Sequence, residues 1–294
     1  MISVLIPVYN FDVRQLVHDL HRQLTTAGIE FEILCFDDGS KEEFNVINQS
    51  IINQSQVTLH QLPFNLGRTR IRNALAKAAR HPYLLFMDCD SRVVSPNYIR
   101  RYVEQLQPGT VLYGGRTYTP TPPHQPELYF HWLYGTRREQ ISSEVRQLNP
   151  YHAFMTNNFL IPKIIFDQIR FNEHLTQYGH EDTLFGMELK KQQIKILHLN
   201  NPLAHIGLEN TNTFLEKTEQ GIQNLVWLSK THPELETRLL KTYQILQKAR
   251  LDRVVYFILK MAVPLLLHNI KSKKPDLRLF DLYKLQLLIK SFHH

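Results

Sequence analysis

The sequence predicts an α/β fold, a mostly parallel sheet flanked by helices, followed by a helical C-terminal extension. Three observations predict it. Apolar runs of strand length alternate with segments of helical spacing from Ile2 to Met87. Three of these runs end in a proline or in acids, at Pro7, at Asp37-Asp38 and at Asp88-Cys89-Asp90. Beyond residue 229 the composition turns basic and the strand-like runs stop. The expected division is 1–213 for the sheet domain and 214–294 for the helical region.

The elements follow in order. Ile2 to Val8 reads as a buried strand whose ladder Pro7 should end. Residues 12–27 carry Leu16, Val17, Leu20 and Leu24 at helical spacing, with Gly28 as the stop. Phe31 to Phe36 is the second strand, 42–53 a helix, and Val57 to Leu62 the third strand. Asn65-Leu66-Gly67 makes a turn into a helix at 68–80. The run at 83–87 is the fourth strand and delivers Asp88 and Asp90. This β-α order implies parallel pairing, which places the three acid- or proline-bearing ends on one sheet edge, where open α/β sheets bind ligands.

Downstream, a helix begins near Val94-Ser95-Pro96 and a strand runs from Thr110 to Gly115. Residues 127–148 read as one helix, in which Trp132 and Tyr134 serve the core or an acceptor. A strand follows Asn157-Asn158, a helix spans 183–193, and strands lie at 194–199 and 202–207. Residues 214–250 look helical and amphipathic. The apolar run 254–267, broken by Lys260 and Pro264, reads either as membrane docking or as a C-terminal helical core.

Composition limits the function classes. The chain has 294 residues, a 43% hydrophobic share and a net charge of +7. Residues 1–229 hold 21 Lys/Arg against 22 Asp/Glu, and residues 230–294 hold 13 against 5. The sheet domain is therefore near neutral, which argues against a nucleic-acid groove over it. The basic tail suits an anionic surface such as a membrane. Cys35 and Cys89 sit in apolar runs and read as buried thiols of a reducing compartment. The N-terminus leads directly into a strand with no signal-peptide pattern, so the expected location is cytoplasmic, with peripheral contact on the inner face of the plasma membrane. Neither Gly-x-Gly-x-x-Gly nor Gly-x-x-x-x-Gly-Lys-Ser/Thr occurs, so a dinucleotide site and a P-loop are not expected.

The chemistry-bearing residues each carry a plain alternative. Asp88 and Asp90, two apart, share a face if the strand continues through them. Two hard oxygen ligands suit Mg²⁺ or Mn²⁺ on a diphosphate, and the alternative is an ordinary Asp-Ser turn. Asn157 and Asn158 either bond sugar hydroxyls or form a turn. Asp182, at a helix start, either accepts a proton or caps the helix.

Four segments, in register, resemble the family 2 glycosyltransferases. They are Val4-Leu5-Ile6-Pro7-Val8-Tyr9-Asn10, Asp37-Asp38-Gly39-Ser40, Asn65-x-Gly67 with Arg72-Asn73, and Asp88-Cys89-Asp90. The Tyr178-Gly179-His180-Glu181-Asp182 stretch resembles that family's Gly-x-Glu-Asp element. The resemblance implies the GT-A fold and an inverting, metal-dependent transfer of one sugar from a nucleotide sugar, with UDP the commonest nucleotide. The acceptor would be a glycan or lipid-linked glycan hydroxyl, in cell-surface polysaccharide synthesis. It implies Asp182 as base and Glu181 as its acceptor-orienting neighbour. Pro7, Tyr9, Asp38, Asn65, Arg68, Arg72, Asp88, Asn157 and Asn158 would line the donor site. Asp90, Asp88 and His205 would bind Mn²⁺ or Mg²⁺, with a structural histidine as the alternative for His205. The Gln-x-x-Arg-Trp element of processive synthases is missing, since neither Trp132 nor Trp227 follows an arginine. Two other functions compete. A sugar-nucleotide-forming nucleotidyltransferase would carry a glycine-rich N-terminal loop, and residues 7–14 hold no glycine. A non-catalytic nucleotide-sugar-binding module would lack the acidic positions present here.

Overall fold

The computed structural model describes residues 1–175 and 179–293. The ordered elements are β1 (Ile2–Val8), α1 (Arg14–Thr26), β2 (Phe31–Asp37), α2 (Glu42–Asn48), β3 (Val57–Gln61), α3 (Arg68–Ala78), β4 (Tyr83–Met87) and β5 (Ser91–Val93). Next come α4 (Tyr98–Glu104), β6 (Thr110–Tyr113), β7 (Arg116–Thr117), α5 (Tyr129–Tyr134), α6 (Ser143–Gln147), β8 (Asn158–Pro162), α7 (Lys163–Ile169) and α8 (Glu181–Lys191). The remainder is β9 (Lys195–His198), β10 (Leu203–His205), α9 (Thr211–Thr231), α10 (Arg238–Lys248), α11 (Asp252–Ile270) and α12 (Leu277–His293).

Seven strands form the main sheet in the order β3-β2-β1-β4-β8-β6-β9. All pairings are parallel except those of β8, which runs against both β4 and β6. The expected mostly parallel α/β sheet is therefore present. Its central strands read as continuous apolar runs because both faces are covered. Val4, Ile6 and Val8 share one buried cluster with Leu16, Val17 and Leu20 of α1. Leu5, on the other face, joins Leu75 and Ala76 of α3 and Phe86, Phe159 and Phe185. Burying a side chain of this size contributes roughly 1.5–3 kcal/mol.

Several local expectations shift. Pro7 does not end its strand, since β1 stays paired with β2 through Val8↔Asp37. Pairing with β4 does stop at Leu5↔Phe86, before the residue that has no N–H to give. The helix expected over 42–53 tightens to a 3₁₀ turn at Gln49–Asn53. The helix expected over 127–148 breaks into α5, a π-turn at Gly135–Glu139 and α6. β5, β10 and β7 form a second, small sheet in that order, which holds the segments flanking the site.

The chain falls into two compact units. One gathers Met1–Thr119, the described residues 138–175, and Glu181–Gly207. The other gathers Pro120–Arg137, Gly179 and His180, and the described residues from Leu208 onward. In the second unit, Phe130, Tyr134, Phe214 and Phe280 form an aromatic cluster with ring centroids 5.1–5.9 Å apart. Tyr134 thus packs in a core, and Trp132 lies against Tyr129.

Candidate active site

The site grows from the C-terminal edge of β1, β2 and β4, within the first unit. At the end of β2, Asp38 is buried and accepts backbone N–H bonds from Leu66 at 2.6 Å and Gly67 at 3.1 Å. Burial pushes its carboxyl up, and those two bonds oppose the shift. Asp38 therefore anchors the 64–67 loop. Two glycines make the approach feasible. Gly39 has a φ of 74°, and a Cβ there would meet the Phe64 carbonyl carbon at 2.9 Å. Gly67 has a φ of 85° as it turns the loop into α3. Pro7 is half-buried, while Tyr9 and Asn65 are exposed at the same edge.

Asp88 leaves β4 into a shell of arginines. Its Oδ1 accepts from Arg72 at 2.5 Å, and its Oδ2 accepts from Arg116 at 3.3 Å and lies 4.0 Å from Arg68. Its backbone N–H donates to the Asn157 carbonyl at 3.2 Å. Asp90 lies past the strand, in a turn into β5. The two carboxylates consequently do not act as the adjacent pair that a continuing strand would give. Among the described residues, no three His, Cys, Asp or Glu side chains gather as cation ligands. Asp88 is held by arginines at this edge.

Asp90 and His205 do come together. β10 pairs with β5 so that His205 sits opposite Ser91, and the Ile206 N–H donates to the Asp90 carbonyl at 2.8 Å. Nδ1 of His205 lies 3.4 Å from Oδ1 of Asp90, an ion-pair contact longer than a well-formed hydrogen bond. That buried oxygen has no hydrogen-bond donor among the described residues. Burial opposes ionisation of Asp90, but His205, Arg116 and Arg68 outweigh it and hold the carboxyl well below the usual carboxylate range. An ionised, under-satisfied oxygen beside an imidazole fits a divalent cation whose other ligands come from a diphosphate and water.

The second acidic element arrives from α8. Asp182 lies in the first turn of the helix, and its Oδ1 accepts from the Thr156 backbone N–H at 3.0 Å and from the Thr156 hydroxyl. Both partners lie outside α8, so Asp182 ties the helix start to the Thr156 segment and is not occupied as a cap. Burial and the neighbouring Glu181 push its carboxyl up to about 6, against the hydrogen bond from Thr156. Glu181 is buried and paired with Arg68 at 3.2 Å. Arg68 thus touches both acidic elements. Tyr178, in the same stretch of sequence, lies outside the described residues.

The two asparagines part company. Asn157 is buried beside the Asp88 backbone, with Oδ1 accepting from the Tyr113 hydroxyl at 3.3 Å. Asn158 is fully buried in the core. Its Oδ1 accepts from Tyr98 at 2.6 Å and Tyr102 at 2.8 Å, and its Nδ2 donates to the Gly115 and Asn201 carbonyls. With its side-chain valences spent, Asn158 is corrected from sugar contact to core bracket.

Three residues escaped the sequence reading. Arg116, from β7, bonds Asp88 and also Glu139 at 3.1 Å. Glu139 accepts from the Tyr118 hydroxyl, and the Tyr118 ring stands edge-on to His205 with centroids 5.5 Å apart. Burial opposes the charge of Arg116, and Glu139, Asp88 and Asp90 more than restore it. The only local signal was an arginine directly after Gly114-Gly115. Glu139 ends a π-turn, a distortion frequent at functional sites.

Residues 3–170 match glycosyl transferase family 2, and the chain belongs to that family. It is 26% identical over 238 residues to chondroitin synthase from Escherichia coli, covering 69% of this chain and 34% of that protein. It is 31% identical over 105 residues to poly(ribitol-phosphate) beta-glucosyltransferase from Bacillus spizizenii, covering 34% of this chain and 16% of that protein. The chain thus spans about a third of the first relative's length and about a sixth of the second's. Among solved structures, residues 1–349 of S. aureus TarS align over 99% of this chain and 91% of that one, with a TM-score of 0.52 and 17% identity. Glucosyl-3-phosphoglycerate synthase from Mycobacterium tuberculosis, solved with Mn²⁺, UDP and glucosyl-3-phosphoglycerate, aligns over 78% of this chain and 79% of that one, with a TM-score of 0.52 and 14% identity. These likenesses establish the GT-A fold.

Proposed function

We propose that the protein moves one sugar from a nucleotide sugar, UDP-linked in the first instance, to an acceptor hydroxyl, with inversion at the anomeric carbon. The observation that carries this reading is Arg68, which contacts Asp88 at 4.0 Å and Glu181 at 3.2 Å. It gathers the β4 end and the α8 start around one cationic centre suited to a diphosphate. The Mn²⁺ and UDP held by the solved glucosyl-3-phosphoglycerate synthase support the same choice of donor.

Asp90 and His205 would hold Mn²⁺ or Mg²⁺, which supplies charge stabilisation to the departing diphosphate. Arg68 and Arg116 add fixed positive charge beside it. Asp182 takes the proton of the acceptor hydroxyl. The oxygen bonds to the anomeric carbon as the bond to the diphosphate oxygen breaks, and the nucleoside diphosphate leaves on the opposite face. Glu181, beside Asp182, orients the acceptor. The carboxyl of Asp182 at about 6 suits this work, since it is ionised at neutral pH yet basic enough to receive a proton. The acceptor class is a glycan or a lipid-linked glycan, used in the cytoplasm.

A donor-hydrolysis screen over UDP-, GDP- and CMP-sugars, with and without Mn²⁺, tests the reading. Release of one nucleotide, abolished by Asp90→Asn, is expected. Hydrolysis of none, in a protein shown to be folded, would overturn it.

A further inference from the structure

α11 carries apolar side chains on two faces, with a basic edge between them. One face packs on α12 through Leu259, Leu266 and Ile270, all buried. The other face lies open. Val254 is 56% exposed, Phe257 64%, Ile258 59%, Met261 71% and Leu265 73%. Their spacing of three and four residues places them on one stripe of the helix. An open apolar stripe of this kind marks an interaction surface.

Charge identifies its occupant. Residues 253–275 contain five Lys/Arg and no Asp/Glu. Arg253, Lys260 and Lys271 follow at spacings of seven and eleven, which on a helix puts them along one edge of the apolar stripe. Lys273 and Lys274 continue the positive end past the last turn. We propose that this face of α11 docks in the interface of an anionic lipid membrane, lying in its plane, with the five apolar side chains in the headgroup–acyl boundary and the basic edge on the phosphates. The helix has the length and hydropathy to cross a bilayer. Lys260 at mid-helix and the face covered by α12 favour the interface over a span. Two copies packed stripe to stripe in antiparallel fashion would bring their cationic edges together, so a second copy suits the face less well.

Sedimentation of the full-length protein with vesicles tests this. Vesicles of phosphatidylcholine with about a third phosphatidylglycerol should carry the protein down at low salt, and pure phosphatidylcholine should do so far less. Each basic residue near such a surface contributes about fivefold in affinity. Lys271→Gln, Lys273→Gln and Lys274→Gln together should therefore weaken binding by roughly 100-fold, and added salt should mimic them. Phe257→Ser with Met261→Ser should abolish binding while leaving the melting temperature in place, because both side chains are exposed. Alkaline carbonate should release the bound protein. No sedimentation with anionic vesicles at low salt would overturn the proposal, as would binding indifferent to both sets of substitutions. Retention through carbonate would mean a spanning helix instead. A stable dimer dispersed by Phe257→Ser with Met261→Ser would assign the stripe to a second copy.

Discussion

Asp182 offers the sharpest test, because its neighbours push its carboxyl in opposite directions. Burial and Glu181 raise it to about 6, and the Thr156 hydrogen bond pulls it down. If Asp182 is the base, kcat/KM should fall as pH drops through about 6, losing about tenfold per pH unit below that point. Thr156→Val removes the hydroxyl that favours the ionised form, so the acid limb should move up. Glu181→Gln removes the like charge, so the limb should move down. Each unit of movement corresponds to about 1.4 kcal/mol between the two protonation states. Stability follows with a definite sign. A carboxyl raised in the folded state costs stability above its folded value, and the cost is relieved as pH falls from about 6 towards its ordinary 3.8. The full cost is of order 3 kcal/mol at most. Asp182→Asn keeps an acceptor for Thr156 and removes the buried charge, so its melting temperature at pH 8 should hold or rise. Its turnover should drop by ~10²–10⁴-fold while donor affinity persists. The assays are pH–rate profiles with the true acceptor and thermal melts of the same variants. Near-normal turnover of Asp182→Asn would refute the reasoning, as would a limb that ignores both neighbouring substitutions.

Other outcomes follow from the same geometry. Asp90→Asn should remove most metal-dependent affinity for UDP, read by calorimetry with and without Mn²⁺, in a protein that still folds. Gly207→Ala should weaken that same affinity, because a Cβ at Gly207 would stand 2.7 Å from the Asp90 side chain. Asn158→Ala should cost stability rather than binding. It strands the Tyr98 hydroxyl and leaves Tyr102 only the backbone carbonyl of residue 158, and an unsatisfied buried group costs roughly 1–3 kcal/mol, so denaturant melts should shift. His198 is buried with its imidazole pushed down to about 4. Stability should therefore be lost as pH falls from the ordinary value of 6.5 towards 4, and His198→Gln should flatten that slope in pH-dependent melts.

The sequence by itself determined the parallel strands, because β1, β2 and β4 are buried on both faces and so read as unbroken apolar runs. It singled out Asp38, Asp88 and Asp90 for a related reason, and Asp182 by its place at a helix start. Acids at the ends of such runs mark where the chain leaves the sheet, and that edge is set by strand direction alone. Only the tertiary structure decided what each acid touches. Asp88 and Asp90 are two apart, yet one meets arginines from α3 and β7 and the other a histidine from β10, because the chain turns between them. Adjacent Asn157 and Asn158 likewise divide between the site and the core. Arg116, Tyr118 and Glu139 left almost no trace in the sequence, since their partners are distant in the chain and no periodicity links them. The exposed stripe of α11 was equally undecided, because a helix apolar on two faces reads the same whether one face or both are covered. Periodicity records the faces that an element has. Which neighbour covers each face depends on the packing of residues far apart in the chain.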